Sequence, residues 1–345
     1  LYAAHWRKTG LREGTPKRQK KLDGIKETLE IGLQSGVAVQ LSHLSCGFDV
    51  YPSTDDAMMR RAAERTLEVI DEYRARGVRA RFDVIPNITG GILLAPDLMM
   101  FFMPWAIPCG SREQFAKNLR APDYRTQIHT LINSGTYYTL NPVVNPEWAE
   151  YITVLACSDE TAVGQTLAAL AEARGRGAVD LALDLLAADP YTKVFQIVQN
   201  MNEEAVRTFI AHPDATIGSD TFAVDLTSTI PLAENMPGYY MNPNTYCGFV
   251  RYLTHFPQSS IEETIRKATG SAAQAAGLTD RGVIAEGMRA DLLILDESKL
   301  DDRENRIDPR VWPTGVDYVF VNGIAAVRDG ACTLSRSGQV LRWSK

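Results

Sequence analysis

Histidine is scarce in this chain, with five among 345 residues, and cysteine is no commoner. The five thiols, Cys46, Cys109, Cys157, Cys247 and Cys332, are odd in number, scattered, and show no CxxC spacing. That pattern argues against a disulfide frame and fits reduced thiols in a cytoplasmic location. Long apolar runs are missing too; the best candidate, Ile92 to Trp105, is interrupted by Pro96, Asp97 and Pro104. A membrane span is therefore not expected. No signal-peptide pattern, internal repeat or low-complexity tract is visible. Basic clusters are short as well. The densest, Lys17-Arg18-Gln19-Lys20-Lys21, precedes an amphipathic helix and reads as a solvated face. The net charge of −6 gives no reason to expect a nucleic-acid partner.

What is present is ordinary globular composition, 45% hydrophobic and 23% charged, enough for one large domain and a smaller one. Leu1 to His5 reads as a short strand. Apolar residues at Leu22, Ile25, Leu29 and Leu33 mark a helical face closed by Gly36. Val37 to Leu41 is a strand, Met58 to Gly77 a long helix, and Val78 to Val84 the next strand. This βαβαβ run argues for a parallel sheet. From Ile88 to about Asp180 the rhythm breaks. That stretch is expected to be an insertion, part of it a lid over the strand C-termini, with Phe101, Phe102, Met103 and Trp105 among its large apolar residues. The pattern is expected to resume with a helix at Ala178 to Ala188, a strand at Thr192 to Gln199, a helix at Asn202 to Ala211 and a strand at Ala215 to Ile217. A helix over Ser260 to Ala276 and short strands within Gly282 to Asp296 and Val316 to Val327 complete the chain.

Ala215 to Ile217 is short, apolar and β-branched, and runs into Gly218-Ser219-Asp220. It reads as a buried parallel strand with a carboxylate at its C-terminal tip. In a (β/α)8 barrel the chemistry sits at those tips. A carboxylate there can ligate a metal or accept a proton from water; the alternative is a cap on a following turn. His43 follows a strand in the same way, where a neutral imidazole can ligate zinc.

Two sets of residues carry a family resemblance. Gly282-Val-Ile-Ala-Glu-Gly287-Met-Arg-Ala290-Asp291-Leu-Leu-Ile-Leu-Asp296, followed by Val319-Phe-Val-Asn322-Gly323, resembles the end of the amidohydrolase superfamily. Tyr2-Ala-Ala-His5-Trp-Arg7, Gly36-Val-Ala-Val-Gln-Leu-Ser42-His43-Leu44, Asp83-Val-Ile-Pro86, Pro146-Glu-Trp148, His212-Pro213 with Ile217-Gly-Ser-Asp220, Tyr246-Cys-Gly-Phe249 and Asp317 to Gly323 resemble, in order and over nearly the whole chain, the N-acyl-D-amino-acid deacylase (D-aminoacylase) family. The resemblance implies an α/β fold. This would be a (β/α)8 (TIM) barrel of the metal-dependent hydrolase type, incomplete at its N-terminus because the chain begins near barrel strand 4. Residues 1–278 would form the barrel portion, and residues 279–345 part of a small C-terminal β-sandwich. It implies a metal-dependent amidohydrolase, using one or two zinc ions, that cleaves the amide of a small N-acylated D-amino acid. The alternatives are a cyclic-amide hydrolase and a metal-free binding barrel.

The resemblance also implies roles. Asp220 matches the general base, which later protonates the leaving amine. His43 matches a zinc ligand. His5 and Arg7 match a segment that lines the site, with Arg7 able to pair with a substrate carboxylate; Tyr246 is a further substrate contact. The chain departs from the family where the strand after His43 ends without a histidine. Asp83 is then a candidate ligand, and so is Cys46, although a lone thiol is more often a small apolar filler. Asn242-Pro243 stands where relatives have His-Pro.

Overall fold

The computed structural model describes residues 1–6, 21–48, 50, 55–89, 93–137, 140, 142–143, 145–197, 201–223, 230 and 233–342. Strand β1 (Tyr2–Ala4), helix α1 (Lys21–Ser35), β2 (Val39–Leu41), α2 (Asp56–Ala75) and β3 (Ala80–Val84) open the chain. Next come β4 (Leu93–Leu94), α3 (Met103–Ala106), α4 (Arg112–Asn118), α5 (Pro122–Asn133), β5 (Ile152–Ala156), α6 (Leu167–Ala173), α7 (Ala178–Ala188) and β6 (Lys193–Gln196). The first pattern returns with α8 (Glu203–Ala211) and β7 (Ala215–Ile217). After β8 (Tyr240–Met241), helices α9 (Asn244–His255), α10 (Ile261–Ala268) and α11 (Gly270–Ala276) lead to β9 (Leu292–Leu295), β10 (Val316–Val321), β11 (Ile324–Arg328) and β12 (Ala331–Cys332).

Strands β1, β2, β3 and β7 form a parallel sheet in that order. Because side chains alternate along a strand, the sheet has two unlike faces. Val39, Leu41, Phe82, Val84, Ala215 and Ile217 enter one apolar core with Ile25 and Leu29 of α1, Met59 and Ile70 of α2, and Phe209 of α8. The opposite face carries Gln40, Arg81, Asp83 and Thr216. There the Gln40 amide donates to Asp83 Oδ2 at 2.9 Å and to Thr216 Oγ1 at 3.4 Å.

Local chemistry sets the helices on the apolar face. Asp55 starts α2 by accepting from the Met58 N–H at 2.9 Å. The buried stripe Met59, Ala62, Ala63, Thr66, Leu67 and Ile70 then follows helical spacing. Each large aliphatic side chain so buried contributes roughly 1.5–3 kcal/mol. Asn202 caps α8 through the Ala205 N–H at 2.9 Å. Gly32 lets α1 reach the sheet, since a Cβ there would lie 2.6 Å from Val39 Cγ2.

The insertion has its own core. Leu98 to Phe102, Phe115, Ile128, Ile132, Trp148, Ile152, Leu167, Leu181, Leu186 and Val194 pack together within it. Asp97 pins it from inside, accepting from Arg112 Nη1 at 2.5 Å and from Lys193 Nζ at 3.0 Å. A helix joining parallel strands runs antiparallel to them, so the N-terminus of α8 lies at the end where β3 finishes. The insertion therefore springs from, and returns to, the C-terminal end of the sheet.

Two expectations need correction, the parallel strand over Thr192 to Gln199 and the continuous helix over Ser260 to Ala276. The strand expected over Thr192 to Gln199 does not rejoin the parallel sheet; β6 pairs antiparallel with β5, burying Val194 in the insertion's core. Among the described residues the parallel sheet has four strands and does not close into a barrel. The C-terminal strands form a single antiparallel sheet, ordered β12-β11-β10-β9. Its Leu293 and Ile294 remain 55% and 49% exposed, so no second layer of described residues covers them. The helix expected over Ser260 to Ala276 is split at Thr269, whose φ of −122° and ψ of −87° are not helical.

Candidate active site

Parallel strands end together, and three of the expected site residues follow such ends. His5 comes directly after β1, His43 two residues after β2, and Asp220 three residues after β7. The register pairs Ala4 with Leu41, and the Ser42 N–H donates to the Ala4 carbonyl at 3.0 Å. This brings the two imidazoles edge to face, with ring centroids 4.4 Å apart and planes at 69°.

His43 has a φ of +39° and Asp220 a φ of +51°. The left-handed region is uncommon outside glycine and costs of order 1–3 kcal/mol, although His, Asp and Asn enter it more readily than most. Such backbone gathers at functional sites. The strain at His43 has a visible counterweight, since Asp83 Oδ1 accepts the His43 N–H at 2.7 Å. Asp220 is exposed, while His43 is half-buried. Gly218 makes the approach of β7 possible, since a Cβ there would meet Asp83 Oδ1 at 3.0 Å.

Of the other expected residues, Asp83 adjoins this group. Cys46 is fully buried in the apolar core among Ile25, Leu44 and Met59. Burial pushes its thiol up to about 12, against the smaller effect of Lys21. Metal binding needs the thiolate, so this setting suits an apolar filler. Both Asp83 oxygens are hydrogen-bonded, to the His43 N–H and the Gln40 amide. Tyr246 is buried in the first turn of α9, its ring 5.8 Å from that of Trp312. Arg7 lies outside the described residues. His129 and His255 pair with Asp180 and Asp302, at 2.9 and 3.1 Å.

Sequence reasoning gave His5 a substrate contact and missed its meeting with His43. The available signal was positional, with a histidine just beyond each of two successive strands. Zinc-type ions accept imidazole nitrogen, and two imidazoles on neighbouring strands fit half of a tetrahedral set. Among the described residues, no group of three or more His, Cys, Asp or Glu side chains gathers to hold a metal. The same residues include no helix long and apolar enough to cross a membrane.

Residues 101–325 match the model of the Amidohydrolase family. An N-acyl-D-glutamate deacylase of Alcaligenes xylosoxydans xylosoxydans is 26% identical over 322 residues, covering 92% of this chain and 51% of that protein. A D-aminoacylase variant in complex with copper chloride superposes with a TM-score of 0.58 at 20% identity, over 99% of this chain and 56% of the other. An N-acyl-D-glutamate deacylase of Bordetella bronchiseptica, holding zinc and a phosphonate inhibitor, gives 0.51 at 20% identity, over 94% and 52%. The chain thus shares the fold of these enzymes and spans about half their length.

Proposed function

The chain belongs to the amidohydrolase family, and on that footing we propose that it cleaves the amide bond of a small N-acylated D-amino acid in a metal-dependent hydrolysis. The observation that carries this reading is the His5–His43 contact at adjacent strand ends, 4.4 Å between ring centroids, at the end of the sheet that also bears Asp220. The names of its relatives supply the substrate class.

In this reading His5 and His43 would each give one nitrogen to a divalent ion, zinc by likeness to the relatives. When bound, such an ion lowers the pKa of water and polarises a carbonyl. Asp220, exposed at its strand tip, takes the proton from water and returns it to the leaving amine. Arg7 pairs with the substrate carboxylate and Tyr246 flanks it. The four-stranded sheet is an arc of a (β/α)8 barrel within residues 1–278, and residues 279–345 contribute to a β-sandwich beside it. The insertion, rooted at the same end as the site, acts as a lid that excludes water. The scattered thiols support a cytoplasmic setting.

The test is amine release from N-acetyl-D-glutamate and its L enantiomer, with elemental analysis of the same samples. Hydrolysis of the D compound is expected, with bound zinc that falls in both His5→Asn and His43→Asn. A protein that holds no metal and hydrolyses neither compound would instead be a binding barrel. Zinc content unchanged in both variants would remove the histidine pair from the site.

A further inference from the structure

One carboxylate joins the two halves of the site. Asp83 lies on β3, between β2, which leads to His43, and β7, which leads to Asp220. Its Oδ1 accepts the His43 N–H at 2.7 Å and its Oδ2 accepts the Gln40 amide at 2.9 Å. Its own carbonyl accepts the Leu44 N–H at 2.8 Å. The turn that presents His43 is therefore held to β3 by both the side chain and the backbone of Asp83. On the other side, Gly218 donates its N–H to the Val84 carbonyl at 3.1 Å, and its missing Cβ leaves room for Asp83 Oδ1.

We propose that Asp83 is a positioning residue: it holds His43 in its left-handed conformation and sets the spacing between the His43 and Asp220 tips. This rests on the metal-dependent reading and says how the site is held, not what it cleaves. A charged acceptor suits the task. Hydrogen bonds to a carboxylate are roughly twice as strong as neutral ones, enough to offset the backbone strain at His43. Asn at this position keeps one acceptor for the His43 N–H but presents a donor to the Gln40 amide. Gln40 Oε1 is buried without a partner among the described residues, so that amide can turn over to accept from it. Asp83→Asn is thus the mild variant. Asp83→Ala, which leaves both donors unsatisfied, is the severe one.

The experiment loads the purified parent protein, Asp83→Asn, Asp83→Ala and Gly218→Ala with cobalt(II). Metal affinity is read by chelator competition, the visible spectrum at saturation, and the thermal midpoint by melting. Groups that orient metal ligands typically contribute 10–100-fold to affinity. Affinity is expected to fall about 10–100-fold in Asp83→Ala and less in Asp83→Asn, with the saturated spectrum unchanged because the ligands are unchanged. Gly218→Ala, which presses on an intact carboxylate from β7, is expected to weaken affinity in the same direction. Should Asp83→Ala not fold, the other two variants carry the test. A changed spectrum at saturation in Asp83→Asn makes Asp83 a ligand and overturns the proposal. Unchanged affinity in every folded variant, with only the thermal midpoint lowered, overturns it in favour of a purely structural role. A parent protein that binds no cobalt overturns the metal-dependent reading itself, before any variant is compared.

Discussion

Replacing Asp220 by Asn should separate chemistry from folding. Asp220 is exposed, so the change forfeits little packing. Its φ of +51° is one that Asn adopts as readily as Asp, so no new strain appears. Stability should then move by no more than about 0.5 kcal/mol, as for other surface changes. What is lost is an oxygen that can take a proton. A general base contributes ~10²–10⁴-fold to rate, which at 1.36 kcal/mol per decade is about 2.7–5.4 kcal/mol of barrier. Asp220→Ala should lose the same turnover and also carry roughly 1–2 kcal/mol of left-handed strain. The pair therefore predicts equal losses in initial rate of amine release but different melting temperatures. If Asp220→Asn stays within a few-fold of the parent, Asp220 is a turn residue and the proton has another acceptor.

Two further expectations concern what holds the site in place. Arg251, its side chain 4% exposed, meets Glu203 at 2.5 Å and Asp302 at 3.1 Å. Glu203 is 46% exposed but Asp302 only 9%, so Arg251→Leu takes a partner from a buried carboxylate and should cost about 3–5 kcal/mol, read as a lowered urea midpoint; an unchanged midpoint would sink the idea that this pair fastens Asp302 to α9. Burial pushes the thiols of Cys46 and Cys247 up to about 12, so at pH 8 iodoacetamide should label exposed Cys332 and spare both until the protein unfolds. The unfolded thiols ionise first, so this contribution to stability is complete below their ordinary value of 9.0 and fades as pH rises toward about 12. Labelling of either at pH 8 in the folded protein contradicts the assignment.

The legible parts of the fold were those decided locally. Strand Val39–Leu41 lies inside the predicted Val37 to Leu41, and α8 starts where Asn202 offers its cap. Periodicity could not show where Thr192 to Gln199 would go, because Val194 buries equally well in either core; the choice depends on β5, a partner strand distant in sequence. The site divided in the same way. Residues at strand ends could be picked out, His43 and Asp220 among them. The meeting of His5 with His43 depends on register between two strands, and the grip of Asp83 on the His43 amide on a turn whose backbone is left-handed. The first leaves only a positional hint, a histidine just beyond each of two successive strands, and the second leaves no mark in composition or spacing.

The insertion also bears on how quickly the sheet can assemble. Phe82 pairs with Ala215 and Val84 with Ile217, so the whole of 85–214 separates the end of β3 from the start of β7. Closing so long a loop is slow, because its entropy is lost before the contact forms. A separate core lets the stretch 93–196 fold first, and only 85–92 and 197–214 then remain as tether. Shortening the loop about fivefold lowers the closure cost by (3/2)RT ln 5, about 1.4 kcal/mol, or roughly tenfold in the pairing equilibrium. Variants that loosen the insertion's core, such as Asp97→Ala, would then slow the joining of β3 to β7 even though neither strand is touched.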